Sequence, residues 1–169
     1  MGDHQIFLGL GGNIGKKSRI FKKTLSLIEA RIGKIDRISP VYVSPPWGFE
    51  AREEFWNQVI VVNTRLTPRE VLHETQKIEA YFSRKRESGR YLSRRMDIDI
   101  LFYDQLVLVS EELSIPHPLV ERRKFVLIPL ASVSPDFRHP VTGKSVTEMI
   151  SECDDLAEIK PLDPPDLKG

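Results

Sequence analysis

The chain has 169 residues, a net charge of +1 and one cysteine, with 40% hydrophobic and 29% charged residues. This balance is typical of a soluble globular protein and favours neither nucleic acid nor a membrane as a general partner. Cys153 excludes an internal disulfide, and neither a signal peptide nor a membrane-spanning run is evident. We therefore expect one cytoplasmic domain over residues 1–169, with a frayed tail from about residue 160.

The chain begins with a strand and a helix joined by a glycine-rich turn. Apolar side chains alternate over residues 5–10, which predicts a strand. They recur at helical spacing over residues 18–32, which predicts an amphipathic helix. The turn between them, residues 11–15, lacks the lysine and the glycine spacing of known phosphate-binding loops, so a structural role is favoured.

Two further strands follow this helix. Residues 35–43 are strand-like, and Pro40 predicts a bend or an edge position. Residues 55–64 form a long predicted strand in which Phe55 and Asn57 share a face with two valines. A polar Asn57 on that face needs a partner, either a ligand or a neighbouring main chain.

A second helix has a clear start signal. Thr67 is the predicted N-cap, Pro68 occupies the first helical position and Glu70 completes a capping box. The helix gives way to residues 83–93, a basic segment that we expect to be a flexible loop until an anion binds.

The next strand carries two acidic residues. Asp97 and Asp99 point to one face, while Ile98, Ile100 and Phe102 are predicted to point to the other. Carboxylates at this spacing suit Mg²⁺ bound together with substrate phosphates. Basic residues suited to polyphosphate lie just upstream: Arg84, Lys85, Arg86, Arg90, Arg94 and Arg95. The alternative is an edge strand whose acids simply pair with these cations.

The rest of the chain predicts short elements. A turn at residues 104–105 leads to an apolar run over residues 106–109, and His117 is held between two prolines. Residues 125–131 read as a short helix or strand, and residues 146–150 as the last helix.

The order strand–helix–strand–strand–helix–strand predicts an α+β fold, a ferredoxin-like antiparallel sheet of the split βαβ type. Helices are expected on one face, with an appended hairpin and short C-terminal helices. That fold hosts enzymes and RNA-binding modules alike, so it does not decide the function.

Eight motifs occur in a recognisable order along most of the chain. They are Gly11-Gly12-Asn13, Pro45-Pro46-Trp47-Gly48, Phe55-Trp56-Asn57, His73-Glu74-Thr75-Gln76-Lys77-Ile78-Glu79, Arg84-Lys85-Arg86, Arg95-Met96-Asp97-Ile98-Asp99-Ile100, Ile115-Pro116-His117 and Arg123-Lys124-Phe125. Together they resemble the 6-hydroxymethyl-7,8-dihydropterin pyrophosphokinases of folate biosynthesis. The resemblance implies transfer of pyrophosphate from Mg²⁺–ATP to the hydroxymethyl group of the dihydropterin, with release of AMP.

The resemblance also implies roles for individual residues. Catalytic roles fall to Arg84, Arg94 and Asp97, and Asp97 and Asp99 are the expected ligands of two Mg²⁺ ions. The implied ATP-binding residues are Gln76, Glu79, Arg84, Arg86, Arg94, Ile100, His117 and Arg123. The implied pterin-binding residues are Ser44, Pro45, Trp47, Phe55, Asn57 and Phe125. The expected partners are these two small substrates, without nucleic acid or membrane, and the expected state is a monomer.

The chain departs from the family pattern at several positions. Tyr91 stands where a tryptophan is common, Pro118 where an aromatic residue often follows the histidine, and Phe55 where a tyrosine often stacks on the pterin. None of these changes removes a predicted metal ligand or catalytic arginine.

Two other functions are compatible with parts of the sequence. A ferredoxin-like nucleic-acid-binding module would stack bases on Phe55 and Tyr91 and bind phosphates through the arginines. The near-neutral charge and the aspartate pair beside those arginines argue against it. A regulatory ATP sensor without turnover is the second alternative, against which the intact aspartates and arginines count.

Overall fold

The computed structural model describes residues 3–44, 54–83 and 95–162. Its elements are β1 (His4–Gly12), α1 (Lys17–Arg31), β2 (Gly33–Ile38), β3 (Tyr42–Ser44), β4 (Phe55–Thr64), α2 (Pro68–Phe82), β5 (Asp97–Tyr103), β6 (Leu108–Val109), β7 (Ser114–Ile115), a 3₁₀ turn (Val120–Arg122), α3 (Lys124–Val133), α4 (Val146–Glu152) and β8 (Lys160–Pro161).

The main sheet is antiparallel, with β1 between β4 and β5. Strands β5, β1, β4, β3 and β8 lie side by side in that order, and β2 pairs with the other half of β4. This arrangement confirms the predicted ferredoxin-like α+β fold. The strand expected over residues 35–43 is divided into β2 and β3, so the bend predicted at Pro40 is also confirmed.

Helices α1 and α2 pack on one face of the sheet, which we call the α1/α2 face. Their buried side chains are Ile20, Phe21, Ile28, Val71, Ile78 and Phe82. They meet Leu8 and Leu10 of β1 and Ile60 and Val62 of β4. The predicted start of α2 is also confirmed, because the Thr67 hydroxyl accepts a hydrogen bond from Glu70 N and the Glu70 carboxylate accepts one from Thr67 N.

Helices α3 and α4 pack on the opposite face, the α3/α4 face. Their buried side chains are Val126, Leu127, Leu130, Val146 and Met149. They meet Phe7, Val59 and Phe102 of the sheet. The expectation of helices on one face is therefore wrong, because α3 buries apolar side chains against the sheet instead of lying outside it as an appendage.

Strand β5 contains a bulge at Leu101. Phe7 pairs with Phe102 and Leu8 with Ile100, so Leu101 is an extra residue without an opposite partner. Ile98 and Ile100 point to the α1/α2 face as predicted, but Leu101 and Phe102 both point to the α3/α4 face. The prediction that Phe102 shares a face with Ile98 is wrong, because the bulge reverses the alternation.

The C-terminal part of the chain forms two small pairings. The turn at residues 104–105 is confirmed, and the apolar run after it contributes β6, which pairs with β7. Strand β8 pairs with β3, and Leu162 N donates to Val41 O at 2.8 Å. Residues 160–162 are thus part of the fold rather than a frayed tail. Within the part of the chain that the structure describes, no helix is long and apolar enough to cross a membrane.

Candidate active site

A cleft of about 1040 Å³ lies on the α3/α4 face of the sheet. Its floor is formed by β1, β4 and β5, and its rim by the start of α3 and by residues 154–155. The residues lining it are Gly9, Leu10, Gly11, Gly12, Asn13, Ser44, Phe55, Asn57, Gln58, Val59, Asp97, Asp99, Arg122, Arg123, Phe125, Val126, Asp154 and Asp155. It therefore brings together residues that are up to 146 positions apart in the chain.

Glycine residues of β1 separate the two functional sides of this floor. Gly11 pairs with Asp97 on one side and with Asn57 on the other, and Gly9 pairs in the same way with Asp99 and Val59. Residues opposite each other in an antiparallel sheet point to the same face, and adjacent strands are about 4.8 Å apart. The Cα atoms of Asp97 and Asn57 are thus about 10 Å apart, with no side chain between them.

Gly11 is needed for the position of the Asn57 amide. A Cβ atom placed on Gly11 would lie 3.0 Å from Asn57 Oδ1, closer than an ordinary contact. A Cβ atom on Gly9 would lie 3.5 Å from the Leu101 side chain, which is ordinary contact. Gly11 therefore leaves space for the Asn57 amide, whereas an added Cβ atom at Gly9 would only touch the Leu101 side chain.

The two predicted metal ligands face the cleft together. Asp97 and Asp99 both line it, and strand geometry sets their Cα atoms roughly 6–7 Å apart. Ile98 between them is buried on the opposite face, and its N–H donates to Glu79 Oε2 at 2.8 Å. Glu79 thus ties helix α2 to the strand that carries the carboxylates, which fixes their direction.

These carboxylates fit a magnesium ion that is shared with a phosphorylated substrate. The described residues contain no group of three or more His, Cys, Asp or Glu side chains that could hold a metal ion by themselves. Mg²⁺ is usually held by one or two carboxylates, with water and substrate phosphates completing its shell. The donor set of Asp97 and Asp99 is of that kind.

Aromatic and amide side chains form the other side of the cleft. Phe55 begins β4, Phe125 lies in the first turn of α3, and both line the cleft. Ser44 is paired with Phe55, and Asn57 Nδ2 approaches Ser44 Oγ at 3.5 Å, a long hydrogen bond. The structure therefore brings together every predicted pterin-binding residue that it describes.

Arg123 lines the cleft beside the aromatic side chains, and His117 lies near it outside the lining. Arg123 is the residue before α3, and its Cζ lies 5.4 Å from the centre of the Phe125 ring. His117 N donates to Leu101 O, and His117 Nδ1 accepts from Leu119 N at 3.1 Å. Burial lowers the pKa of His117, the Asp99 carboxylate acts in the opposite direction, and Arg123 lowers the pKa further. Because Nδ1 accepts the hydrogen bond from Leu119 N, Nε2 is the nitrogen that carries the ring proton.

Other predicted nucleotide contacts lie away from the cleft lining. Gln76 is exposed on α2, Glu79 binds the main chain of Ile98, and the Ile100 side chain is buried in the α1/α2 face. His117 is close enough to Asp99 and Arg123 for their charges to act on it, but it does not line the cleft. These assignments remain predictions.

Some predicted site residues lie outside the described part of the chain. They are Pro45, Trp47, Arg84, Arg86 and Arg94. Tyr91 lies there as well, as does the predicted loop over residues 83–93 except for Ser83.

Several residues of the cleft are not predicted from the sequence. Gly9, Gln58, Asp154 and Asp155 line it, and none of them stands out in its own stretch of sequence. Asp154 and Asp155 follow α4 in a segment without regular structure, so only the packing of that segment against α3 reveals them. Gly9 could have been found from its pairing with Asp99, once the register of β1 and β5 was known.

The fold and this cleft define a class of protein. An antiparallel ferredoxin-like sheet presents two carboxylates beside an arginine and an aromatic pocket, which is the arrangement of an enzyme that moves phosphate groups onto a flat substrate. Residues 7–135 match the sequence model of 7,8-dihydro-6-hydroxymethylpterin-pyrophosphokinase (HPPK). The chain belongs to this family.

Curated relatives agree with the family match. The 2-amino-4-hydroxy-6-hydroxymethyldihydropteridine pyrophosphokinase of Aquifex aeolicus is 37% identical over 147 residues, which cover 87% of this chain and 91% of that protein. The enzyme of the same name from Porphyromonas gingivalis is 38% identical over 138 residues, covering 80% and 93%. The Folic acid synthesis protein fol1 of Pneumocystis carinii is 35% identical over 94% of this chain, which spans 21% of that longer protein.

Solved structures agree with the fold. A chain of Plasmodium falciparum HPPK-DHPS, solved with pteroate, superimposes with a TM-score of 0.73 at 17% identity. The match covers 89% of this chain and 42% of that chain, so this protein spans less than half of the structure it matches. At this identity the likeness supports the ferredoxin-like fold.

The family membership settles the reaction. The protein is an ATP-dependent pyrophosphokinase of folate biosynthesis, which acts on ATP and the pterin substrate. The nucleic-acid-binding alternative is therefore not supported.

Proposed function

We propose that the cleft holds the two substrates on either side of its glycine floor, with the ATP phosphates at Asp97 and Asp99 and the pterin at Asn57. The observation that carries this proposal is the pairing of Gly11 with Asp97 on one strand and Asn57 on the other. It leaves a path over Gly11, free of any β1 side chain, between two residues whose Cα atoms are about 10 Å apart. A hydroxymethyl group on the pterin spans part of that path and brings its oxygen toward the phosphates.

On the pterin side, Phe55 and Phe125 stack on the two faces of the flat ring. Asn57 offers both a donor and an acceptor to the edge of the ring, and Ser44 steadies the amide through the long contact between them. We assign main-chain contacts along the same edge to Pro45 and Trp47. This arrangement explains why a polar Asn57 lies between Phe55 and Val59 on one face of β4.

On the nucleotide side, Asp97 and Asp99 hold Mg²⁺, and we propose two ions. When bound, they neutralise phosphate charge and orient the triphosphate. Arg123 binds phosphate oxygens through its planar guanidinium, as do Arg84, Arg86 and Arg94. The His117 Nε2–H group donates a hydrogen bond to the nucleotide, and Gln76 also contacts the nucleotide. Ile100 contacts the adenine through its main chain, because its side chain is buried, and Glu79 supports that region from behind.

In the transfer, the pterin hydroxyl oxygen forms a bond to the β-phosphorus of ATP while the bond from that phosphorus to the AMP oxygen breaks. Asp97 accepts the hydroxyl proton, since it is the carboxylate opposite Asn57. Arg84 and Arg94 stabilise the charge that develops on AMP and on the transferred group. The products are AMP and the pterin diphosphate.

The remaining features of the proposal concern the protein as a whole. We propose that residues 1–169 form one pyrophosphokinase domain that works as a monomer in the cytoplasm, where ATP is supplied. Its support is that residues of one chain line the cleft on all the sides described.

The carboxylates provide the direct test. In Asp97→Ala and in Asp99→Ala, we expect turnover to fall by at least about 100-fold while the unfolding curve is unchanged, because each loses a charge aimed at the phosphates. The assay measures AMP release from Mg²⁺–ATP with and without 6-hydroxymethyl-7,8-dihydropterin, and identifies the pterin product by mass. Asp136→Ala, an exposed carboxylate outside the cleft, is the matched control.

Two results would contradict the proposal. Substantial activity in either variant means that the carboxylate removed is not a metal ligand. Release of ADP instead of AMP means that attack occurs at the γ-phosphorus, which the proposed positions of the substrates do not allow.

A further inference from the structure

We propose that Asp155 is a positioning residue, which holds the first turn of α3 and thereby aims Arg123 and Phe125 into the cleft. The inference rests on the roles proposed above for these two residues. It assigns a function to the C-terminal segment, residues 153–159, which connects α4 with β8 and carries no regular structure.

Helix α3 lacks a cap of its own. Arg123 occupies the N-cap position and makes no capping hydrogen bond, since a guanidinium group has donors but no acceptor. Its side chain lies instead over the Phe125 ring. Arg123 thus occupies the N-cap position without capping the helix. The main-chain N–H groups of the first turn therefore need an acceptor from another part of the chain.

Asp155 supplies that acceptor from 31 residues away. Its Oδ2 accepts a hydrogen bond from Lys124 N at 3.1 Å, and its Oδ1 accepts one from Ala157 N at 2.9 Å. Both carboxylate oxygens therefore accept hydrogen bonds from main-chain N–H groups. The negative charge lies at the N-terminus of α3, where the helix dipole stabilises it. Because Asp155 lines the cleft itself, it caps the helix at the edge of the substrate site.

The same segment connects β3 with the first turn of α3, which are the two walls of the cleft on the pterin side. After Asp155 the chain reaches β8, which pairs with Tyr42 and Val43 of β3. Ser44, at the end of β3, and Phe125, in the first turn of α3, line the cleft on these two sides. Residues 153–159 thus connect the wall that carries Ser44 with the wall that carries Phe125.

The first test compares Asp155→Ala, Asp155→Asn and Glu158→Ala. We expect Asp155→Ala to raise the KM for the dihydropterin and for ATP by about tenfold, with a much smaller change in kcat, because both first-turn residues lose their orientation. Asp155→Asn should retain most of the affinity for both substrates, since its amide oxygen still accepts a hydrogen bond from Lys124 N. Glu158→Ala removes an exposed carboxylate of the same segment, outside the cleft lining, and leaves both KM values unchanged.

A double variant separates capping from folding. Proline is favoured at the first position of a helix, needs no acceptor there and suits the extended backbone of Arg123. We therefore expect Lys124→Pro to restore the affinity and the thermal stability that Asp155→Ala loses. This double variant remains informative where Asp155→Ala alone fails to fold.

The outcomes distinguish this inference from the proposed function. Wild-type KM values in folded Asp155→Ala, or an equal loss in Glu158→Ala, overturn the positioning role. A rise in KM that Lys124→Pro does not correct also overturns it. Phe125→Ala is measured in parallel: if it binds the dihydropterin like wild type, the proposed role of Phe125 fails and the inference fails with it.

Discussion

Replacement of Gly11 by alanine tests the proposed pterin site through a single methyl group. The new Cβ would lie 3.0 Å from Asn57 Oδ1 and 3.8 Å from Trp56 O, so the amide must move by a few tenths of an ångström. Asn57 is proposed to make two hydrogen bonds to the pterin edge, each worth about 0.5–1.5 kcal/mol net. Loss of both weakens binding by about 1–3 kcal/mol, or roughly 5-fold to 150-fold in Kd.

Gly9→Ala is the matched control, because it makes the same change on the same face of the same strand. Its Cβ would meet Leu101 at 3.5 Å, an ordinary contact, so the dihydropterin Kd should stay within about twofold of wild type. The assay is an equilibrium titration with the dihydropterin, accompanied by the KM for ATP and by an unfolding curve for each variant. We expect no loss of stability in Gly9→Ala, because alanine restricts the unfolded chain more than glycine does.

Two outcomes would contradict the prediction for Gly11→Ala. Equal Kd values for wild type and Gly11→Ala mean that Asn57 either tolerates the displacement or does not hold the pterin. Equal losses in the two alanine variants mean that the floor of the cleft is sensitive to any added volume, and the specific role of the Asn57 amide is then wrong.

Two further predictions concern stability. Thr67→Ala should lower the free energy of unfolding by about 1 kcal/mol and leave turnover unchanged, because it removes the N-cap of α2 at a distance from the cleft. A denaturant titration measures this free energy, and Thr67→Ser is the control. A loss of activity with unchanged stability would contradict the prediction. Burial lowers the pKa of His139, partly opposed by Glu121, and its Nδ1 accepts from Val141 N and Thr142 N. The unfolded state then binds more protons, so stability falls as the pH drops below about 6.5, by at most about 1.4 kcal/mol per pH unit for this group. His139→Asn keeps an acceptor without titrating and should flatten that fall, whereas parallel curves for the two proteins would show that His139 is not responsible.

The parts of the structure that the sequence predicted are those decided by neighbouring residues. The capping box of Thr67 and Glu70 acts across three positions, and the alternation of β4 follows from the character of each successive residue. The bend at Pro40 follows from the missing N–H of proline. The facing of Asp97 and Asp99 also follows from alternation, because both precede the bulge in β5.

The parts that the sequence did not predict depend on distant partners. The bulge at Leu101 is defined by the pairing of Phe102 with Phe7, and the sequence of residues 97–103 does not predict it. The packing of α3 on the sheet requires Phe7 and Val59 as a surface to bury against. The role of Asp155 requires Lys124 N, which is 31 residues away. A local pattern contains no information on such pairs, so these features appear only with the fold.

Strand β5, which carries the carboxylates, is also an end strand of the main sheet in the described part of the chain. The free edge of a sheet tends to pair with another chain and so promotes aggregation, a tendency that charged side chains and bulges oppose. Asp97, Asp99 and the bulge at Leu101 provide both devices, and Leu101 O is further occupied by His117 N. The acidic pair that we propose for catalysis thus also opposes pairing at this edge, and variants that lose both carboxylates are best compared with wild type at low protein concentration.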